Sequence, residues 1–302
     1  MRRLKAELAL ASGDKIGESP FWDGINERLI WCDQEEGVIN EARADGARFR
    51  LTRQWRIGRR VAAVVPRASG GLIVAAGLDV LALAPGDEIS VLARIDDAGE
   101  GLSINEAKCD PSGRLWLGLM SATFAPGAGA LYRLKASGEI ERVLDGVTIA
   151  NGMGWSSDAR TMYFADSATR GIDAFDFDIS SGNLVARRRF MTCEAGCPDG
   201  LTLDADDCVW VAVVGPGIVE RVSPRGEILA QVSAPTPAVT SCAFGGAGGE
   251  TLFITTLGRP LPEAAAVFGC SQTDIAKSAR APGHVFCCNP GVHGAGATAF
   301  AG

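Results

Sequence analysis

The chain has 302 residues, 47% of them hydrophobic, so it can build a sizeable core as one large domain or two ordinary ones. Its net charge of −7 and pI of about 5.0 give it no general attraction for nucleic acid or an anionic membrane. No apolar run approaches the length of a membrane span, and Lys5 and Glu7 interrupt the only stretch that could begin a signal peptide.

A repeated pattern of short apolar strands runs along the chain. Each copy has an apolar triplet preceded by a turn-rich segment and followed by another apolar strand, and successive triplets start 43 to 47 residues apart. Six copies at this period are typical of propeller blades, which stack on their neighbours and do not fold separately. We therefore predict an all-β fold, a six-bladed β-propeller forming a single domain over residues 1–302. The triplets begin at Leu29, Leu72, Leu115, Met162, Val209 and Leu252.

The blades follow one another in chain order. Residues 4–11 alternate weakly and are predicted to form the outer strand of the last blade, which closes the ring and removes exposed sheet edges. Blade six carries an insertion between Leu257 and Gly283, interpreted as a lid, an interface element or a simple mobile loop. The terminal GAGATAFAG is predicted to add a short strand. The predicted blades cover residues 16–56, 57–100, 101–146, 147–194, 195–237 and 238–300.

Four polar side chains occupy equivalent positions, 10 or 11 residues before the triplet of their blade. In a propeller, this position on the innermost strand lies on a circle around the central axis, so the four side chains are expected to meet in one small space. Blades two and six offer at best a hydroxyl at this position. The four residues are Glu18, Asn105, Asn151 and Asp199.

Two carboxylates and two amides, without imidazole or thiolate, form the ligand set that a hard divalent cation prefers. Four protein ligands also leave coordination positions open for water or substrate. The alternative is that Asp and Asn before Gly are ordinary turn residues, but four of them at one repeat position favour a central metal site. Calcium is the first candidate for the single ion, with magnesium, manganese, zinc and ferrous iron as alternatives.

The sequence around these residues also carries a family resemblance. The motifs are GESPFWD at 17–23, NEAKCDPSGR at 105–114, NG at 151–152, PDG at 198–200 and SCAFGG at 241–246. As a set they resemble the gluconolactonase/regucalcin family, whose relatives include the luciferin-regenerating enzyme. The resemblance implies a six-bladed propeller with one divalent ion, bound by Glu18, Asn151 and Asp199. It implies that Asn105 either binds the ion or holds the substrate beside it.

Departures from the family pattern concern the predicted substrate-binding residues. Ser103 stands where many members have an arginine that holds substrate hydroxyls, and Thr123 aligns with a position that is Glu in some of them. Glu106 replaces the usual Asp after the Asn105 position. Arg59 or Arg60, just ahead of the inner strand of blade two, is the candidate replacement cation, the alternative being a plain surface arginine.

These features predict a metal-dependent lactonase that opens a sugar-acid lactone, such as an aldonolactone, with a metal-activated water. The ion would polarise the ester carbonyl, and Asp199 is the candidate general base and the predicted catalytic residue. Trp22 is expected to line the sugar pocket or, alternatively, to pack in the core. The expected partner is a small-molecule sugar lactone, without nucleic acid or membrane, and the expected assembly is a monomer or small homo-oligomer.

Two other kinds of function remain open, and a third is disfavoured. A metal-dependent aryl-esterase or phosphotriesterase would use the same site. A propeller that only binds calcium, or that serves as a binding platform, would catalyse no reaction. A Ser-His-Asp hydrolase is disfavoured, because His284 and His293 lie in Gly-rich surroundings and no Gly-x-Ser-x-Gly motif occurs.

The nine cysteines indicate the compartment. Their odd number and their positions in apolar strands suit a reducing cytosol better than a disulfide framework. Zinc at Cys193 and Cys197 is disfavoured, because no second cysteine pair lies nearby. We therefore predict a cytoplasmic protein.

Overall fold

The computed structural model describes residues 1–46, 48–258 and 283–302. Within them, the chain forms six sheets whose strands follow one another as antiparallel meanders. All six apolar triplets lie in the second strand of a sheet, as predicted. The fold is the predicted six-bladed β-propeller, and the first strand of each blade is its inner strand.

The strands of the first three blades have the following bounds. Blade one contains β3 (Gly17–Asp23), β4 (Arg28–Asp33), β5 (Val38–Asp45) and β6 (Arg48–Arg56). Blade two contains β7 (Ala63–Pro66), β8 (Leu72–Ala76), β9 (Asp79–Leu83) and β10 (Ile89–Arg94). Blade three contains β11 (Leu102–Cys109), β12 (Leu115–Ser121), β13 (Gly129–Leu134) and β14 (Ile140–Val147).

The remaining blades follow the same plan. Blade four contains β15 (Ala150–Trp155), β16 (Thr161–Asp166), a 3₁₀ turn (Ser167–Thr169), β17 (Gly171–Phe177) and β18 (Leu184–Thr192). Blade five contains β19 (Cys197–Leu203), β20 (Val209–Val214), β21 (Ile218–Val222) and β22 (Ile228–Ser233). Blade six contains β23 (Val239–Gly245), a 3₁₀ turn (Ala247–Gly249), β24 (Thr251–Thr256) and β25 (Gly283–Cys288).

The N-terminal segment closes the ring. Strand β2 (Glu7–Asp14) pairs with β25 as the outer strand of blade six, which confirms the predicted closure, although the strand begins three residues later than predicted. Strand β1 (Arg2–Lys5) was not predicted, and it runs parallel to β22 as a fifth strand of blade five. The segment predicted as one strand therefore serves two neighbouring blades.

The C-terminal tail forms no strand, so that prediction was wrong. Isolated bridges join Gly294 to Asp204 in blade five and Phe300 to Arg67 in blade two. The tail is built of small residues without apolar alternation, so it offers no hydrophobic face for a sheet. Its anchor is Phe300, which is fully buried in the core between blades two and three.

The core lies between the blades. The buried apolar side chains of the described residues form six clusters, one at each junction between neighbouring sheets. In the first triplet, Leu29 and Trp31 pack toward blade six, whereas Ile30 packs toward blade two. Each central strand is thus buried on both faces, which explains why the triplets are uniformly apolar.

The predicted insertion between Leu257 and Gly283 falls on residues 259–282, outside the described residues. In the part of the chain that is described, no helix is long and apolar enough to cross a membrane.

Candidate functional site

β-bulges interrupt the inner strands where the candidate groups lie. In β11 the register shifts between Ile104 and Glu106, so Asn105 lies within the bulge. In β19 it shifts between Pro198 and Leu201, at Asp199. Shifts also occur directly after Glu18 in β3 and around Asn151 in β15. Because a bulge takes side chains out of regular alternation, it can aim groups from several strands at one place.

Two glycines permit the close approach of neighbouring inner strands near the axis. A Cβ at Gly152 would lie 2.5 Å from the carbonyl oxygen of Asp199, and one at Gly200 would lie 2.1 Å from the Oγ of Ser241. No side chain fits at either position. The Asn-Gly and Asp-Gly pairs of the sequence therefore reflect packing around the axis and not simple turns.

A chain of hydrogen bonds orients the two amides. The Nδ2 of Asn105 donates to the Oδ1 of Asn151 over 3.1 Å. The Nδ2 of Asn151 donates to the Oγ of Ser167 over 2.7 Å, and this hydroxyl donates to the carbonyl oxygen of Pro198 over 2.7 Å. The network links blades three, four and five and ends at the residue before Asp199, so it fixes the site across three blades.

The buried carboxyl groups of Glu18, Glu106 and Asp199 interact through their charges. Burial, followed by the charge of Glu106, raises the pKa of Glu18 to about 8, and the backbone N–H of Ser19 opposes this shift. Burial, followed by the charges of Glu18 and Glu106, raises the pKa of Asp199 well above its ordinary value. The charge of Glu106 therefore acts on both Glu18 and Asp199, and the charge of Glu18 acts on Asp199, so a nearby positive charge would favour the ionised forms of these two carboxyls.

Lys108 brings a positive charge into the same region. Its Nζ donates to the carbonyl oxygen of Leu201 over 2.6 Å, from blade three to blade five. Burial raises the pKa of Glu106, and the charge of Lys108 opposes that rise. Sequence reasoning missed Lys108, although its position two residues after Glu106 places both side chains on one face of the strand.

The structure brings Arg60 to Asn105. The Nη2 of Arg60 lies 3.2 Å from the Oδ1 of Asn105 and 2.5 Å from the Oε1 of Gln34. Gln34 is in turn fixed by its Nε2, which donates to the carbonyl oxygen of Ala62 over 2.8 Å. Arg59 instead pairs with Asp79 at 2.6 Å. Of the two predicted arginines, Arg60 is therefore the one beside the candidate site.

The three positions that depart from the family pattern lie in different surroundings. Ser103 is partly exposed on β11, opposite Met120, and Thr123 lies in the exposed turn after β12 with its Oγ1 2.9 Å from the Oγ of Ser121. Both are at the end of blade three that carries Asn105. Glu106 is buried and interacts with the charges of the other carboxylates.

Trp22 packs in the core between blades one and six and also lines a cavity. Trp22 lies at the far end of β3 from Glu18, and its ring stacks on Phe253 with centroids 5.9 Å apart. It also lines a cavity of about 250 Å³, together with Glu106, Lys108 and tail residues 295–298. Its ring contacts agree with the alternative interpretation of core packing, and its place beside a substrate stays a prediction.

Comparison with known proteins identifies the family. The family model described as "SMP-30/Gluconolactonase/LRE-like region" matches residues 16–258. The chain belongs to this family. Regucalcin from Danio rerio is 32% identical over 265 residues, which cover 85% of this chain and 88% of that relative. The predicted resemblance is thereby confirmed.

Solved structures agree with the architecture. A luciferin-regenerating enzyme superposes with a TM-score of 0.87 and 26% identity, covering 98% of this chain and 99% of that one. A calcium-binding protein, regucalcin from Agrobacterium tumefaciens, superposes with a TM-score of 0.86 and 20% identity, covering 99% of each chain. At that identity, the second likeness shows the fold alone.

The donor set fits a divalent cation only if amide oxygens take part. No group of three or more His, Cys, Asp or Glu side chains among the described residues could hold a metal ion. Glu18, Asp199 and the Oδ1 of Asn151 nevertheless supply two carboxylates and an amide oxygen, all from buried residues. Such oxygen sets suit calcium or magnesium better than zinc.

Other residues with metal-binding or nucleophilic chemistry lie elsewhere. His284 is on β25 of blade six, and His293 is exposed with its Nδ1 2.9 Å from the carbonyl oxygen of Gly248. No disulfide joins the cysteines of the described residues. Ser167 and Gln34, which hold Asn151 and Arg60, were also missed, because nothing in the repeat pattern distinguishes them from ordinary strand-end residues.

Proposed function

We propose that this protein is a divalent-cation-dependent lactonase that opens a sugar-acid lactone, with aldonolactones as the first substrate class. Three observations support the proposal: Glu18, Asn151 and Asp199 are buried, the charge of Glu18 acts on Asp199, and a hydrogen bond from Asn105 orients the amide of Asn151. Membership of a family whose model is named for gluconolactonase supports lactone hydrolysis over other uses of this site.

The residues that would hold the cation are Glu18, Asn151 and Asp199. Calcium is the first candidate, since the donors are hard oxygens and the Agrobacterium tumefaciens relative is described as calcium-binding. Magnesium, manganese, zinc and ferrous iron are the alternatives. When bound, the cation supplies Lewis-acid polarisation of the lactone carbonyl.

The chain's own groups bind the substrate and move the proton. Asp199 is the proposed general base, which takes a proton from the attacking water. Arg60 and Asn105, held in place by Gln34 and Asn151, are the proposed partners of the substrate's hydroxyl groups. The hydroxyls of Ser103 and Thr123 lie at the same end of blade three and are proposed to complete the substrate wall.

A pH-stat assay tests this function. The chelated protein is offered aldonolactones of different ring sizes, aryl esters and phosphotriesters, before and after refilling with each cation. We expect cation-dependent opening of aldonolactones that exceeds the other activities by at least a hundredfold. Full activity after exhaustive chelation would contradict the cation dependence. A preference for aryl esters or phosphotriesters would support the rival hydrolase, and calcium binding without turnover would support a calcium-binding propeller.

The compartment and the partners are part of the same proposal. The lack of disulfides among the described cysteines suits a reducing environment, which supports a cytoplasmic location. The expected partner is a small sugar lactone.

A further inference from the structure

The side chain of Lys108 spans the pore. It leaves β11 in blade three, and its Nζ reaches the carbonyl oxygen of Leu201 on β19 in blade five, 2.6 Å away. Ala107 and Cys109, which alternate with it, pack into the core between blades two and three. Glu106 and Lys108, which alternate with these two residues, share the opposite face of the strand, and both line one cavity of about 250 Å³.

The ammonium lies among the buried carboxylates. Leu201 is two residues beyond Asp199, a step of about 7 Å along a strand. The charges of Glu106 and Glu18 both act on Lys108, and both favour its protonated form against the effect of burial. The pore region thus combines three carboxylates with one ammonium from blade three.

We propose that Lys108 is a built-in counter-charge in the pore. Its ammonium balances the carboxylate of Glu106 and, through the hydrogen bond to Leu201, fixes the part of β19 that follows Asp199. It also limits how tightly the site binds a divalent cation. The statement about the cation rests on the proposed function, whereas the statement about Glu106 does not.

Charge balance explains the arrangement. A divalent cation at Glu18 and Asp199 would be neutralised by those two carboxylates, which leaves Glu106 to be balanced by Lys108. The same ammonium repels an incoming cation, so removing it should tighten calcium binding by about tenfold or more. In metal-free protein, removing Lys108 should instead lower the stability of the fold, because it leaves buried carboxylates without a compensating charge.

A double-mutant cycle in chelated protein tests the counter-charge without a metal. We expect Lys108→Met to lower the melting temperature and Glu106→Gln, added to it, to recover at least half of the loss, since the second change removes the unbalanced charge. If Lys108 acted only through its hydrogen bond to Leu201, Glu106→Gln would recover nothing. That result would overturn the proposal.

Calorimetric titration with calcium alone tests the second part. Lys108→Met should bind calcium about tenfold more tightly than the unsubstituted protein, and Lys108→Arg, which keeps the charge, should stay within about threefold. Weaker binding by Lys108→Met would overturn this part. A third result would separate the two proposals: the unsubstituted protein binds no calcium, yet Glu106→Gln still restores the melting temperature of Lys108→Met. The counter-charge role of Lys108 would then be supported, and the proposed cation-dependent function would be contradicted.

Discussion

Glu18 and Asp199 come from blades one and five and lie 181 residues apart in the sequence, yet the charge of Glu18, after burial, raises the pKa of Asp199. Burial and the charge of Glu106 favour the protonated forms of both carboxyls. The proposed divalent ion would instead favour the ionised forms. The proposed catalysis therefore depends on both charges being present.

Removing either charge should abolish the activity. Asp199→Asn and Glu18→Gln are each expected to lower kcat/KM for lactone opening by about a thousandfold or more. Each substitution removes a proposed cation ligand, and Asp199→Asn also removes the proposed general base. Asp96→Asn is the control, since the Asp96 side chain is 86% exposed. Hydrolysis within tenfold of the unsubstituted rate in Asp199→Asn would contradict the assigned role.

The neighbouring arginines provide a matched pair for substrate binding. Arg60→Ala should raise KM about tenfold with a smaller effect on kcat, because it removes a charged donor at Asn105. Arg59→Ala removes only the ion pair with Asp79 and should leave KM within about twofold. Steady-state kinetics on one aldonolactone measure KM for both variants. Equal effects of the two substitutions on KM would rule out a specific role for Arg60.

Asp14 gives a prediction for stability that is independent of the site. Its carboxylate accepts a hydrogen bond from the Nε1 of Trp31 over 2.9 Å, and burial raises its pKa to about 6 from 3.8. Because the folded-state pKa lies above the unfolded value, this group's contribution is greatest below about pH 4 and is lost as the pH rises through 6.

Asp14→Asn should remove this pH dependence. The free energy of unfolding of the unsubstituted protein is expected to fall by about 2–3 kcal/mol, relative to the variant, between pH 4 and 7. Urea unfolding across this range measures the difference. Parallel pH profiles for the two proteins would show that Asp14 does not titrate as described.

At the scale of strands, the bulges determine where the polar groups point. The repeat predicted that Glu18, Asn105, Asn151 and Asp199 share one level, because equivalent positions of a repeat are equivalent in the ring. It could not predict the bulges or the cross-pore reach of Lys108. These depend on how neighbouring inner strands crowd around the axis, which is a contact between distant parts of the chain.

Gly152→Ala tests this crowding. The added Cβ would lie 2.5 Å from the carbonyl oxygen of Asp199, so the two inner strands must separate. We expect a loss of about 2 kcal/mol or more in stability, together with most of the activity. Gly24→Ala is the control, because its Cβ would meet only Trp22 at an ordinary 3.8 Å. Equal stabilities in thermal unfolding would contradict the close approach.

At the scale of the whole molecule, the ring is closed by chain segments from both ends. The weak alternation of residues 4–11 predicted the closing strand but not its division into β1 and β2, because a strand on the edge of blade five is specified mainly by its partner β22. The tail was mispredicted for a related reason. Its order depends on contacts with turns of blades two and five and on the burial of Phe300.

Two truncations separate the roles of the N-terminal strands. Removal of residues 1–14 leaves β25 without its outer partner and exposes a sheet edge, so we expect the melting temperature to fall by about 10 °C or more. Removal of residues 1–5 deletes only the added strand of blade five and should cost about 5 °C or less. Differential scanning calorimetry measures both, and equal losses would contradict closure by β2.

The central claim is that bulged inner strands gather Glu18, Asn151 and Asp199 into one cation site. Anomalous diffraction from crystals soaked in manganese tests it most directly, because the ion is located without reference to activity. We predict one strong peak on the propeller axis, within about 2.6 Å of oxygens from all three side chains. No peak there, or a peak bound by other residues, would contradict the account.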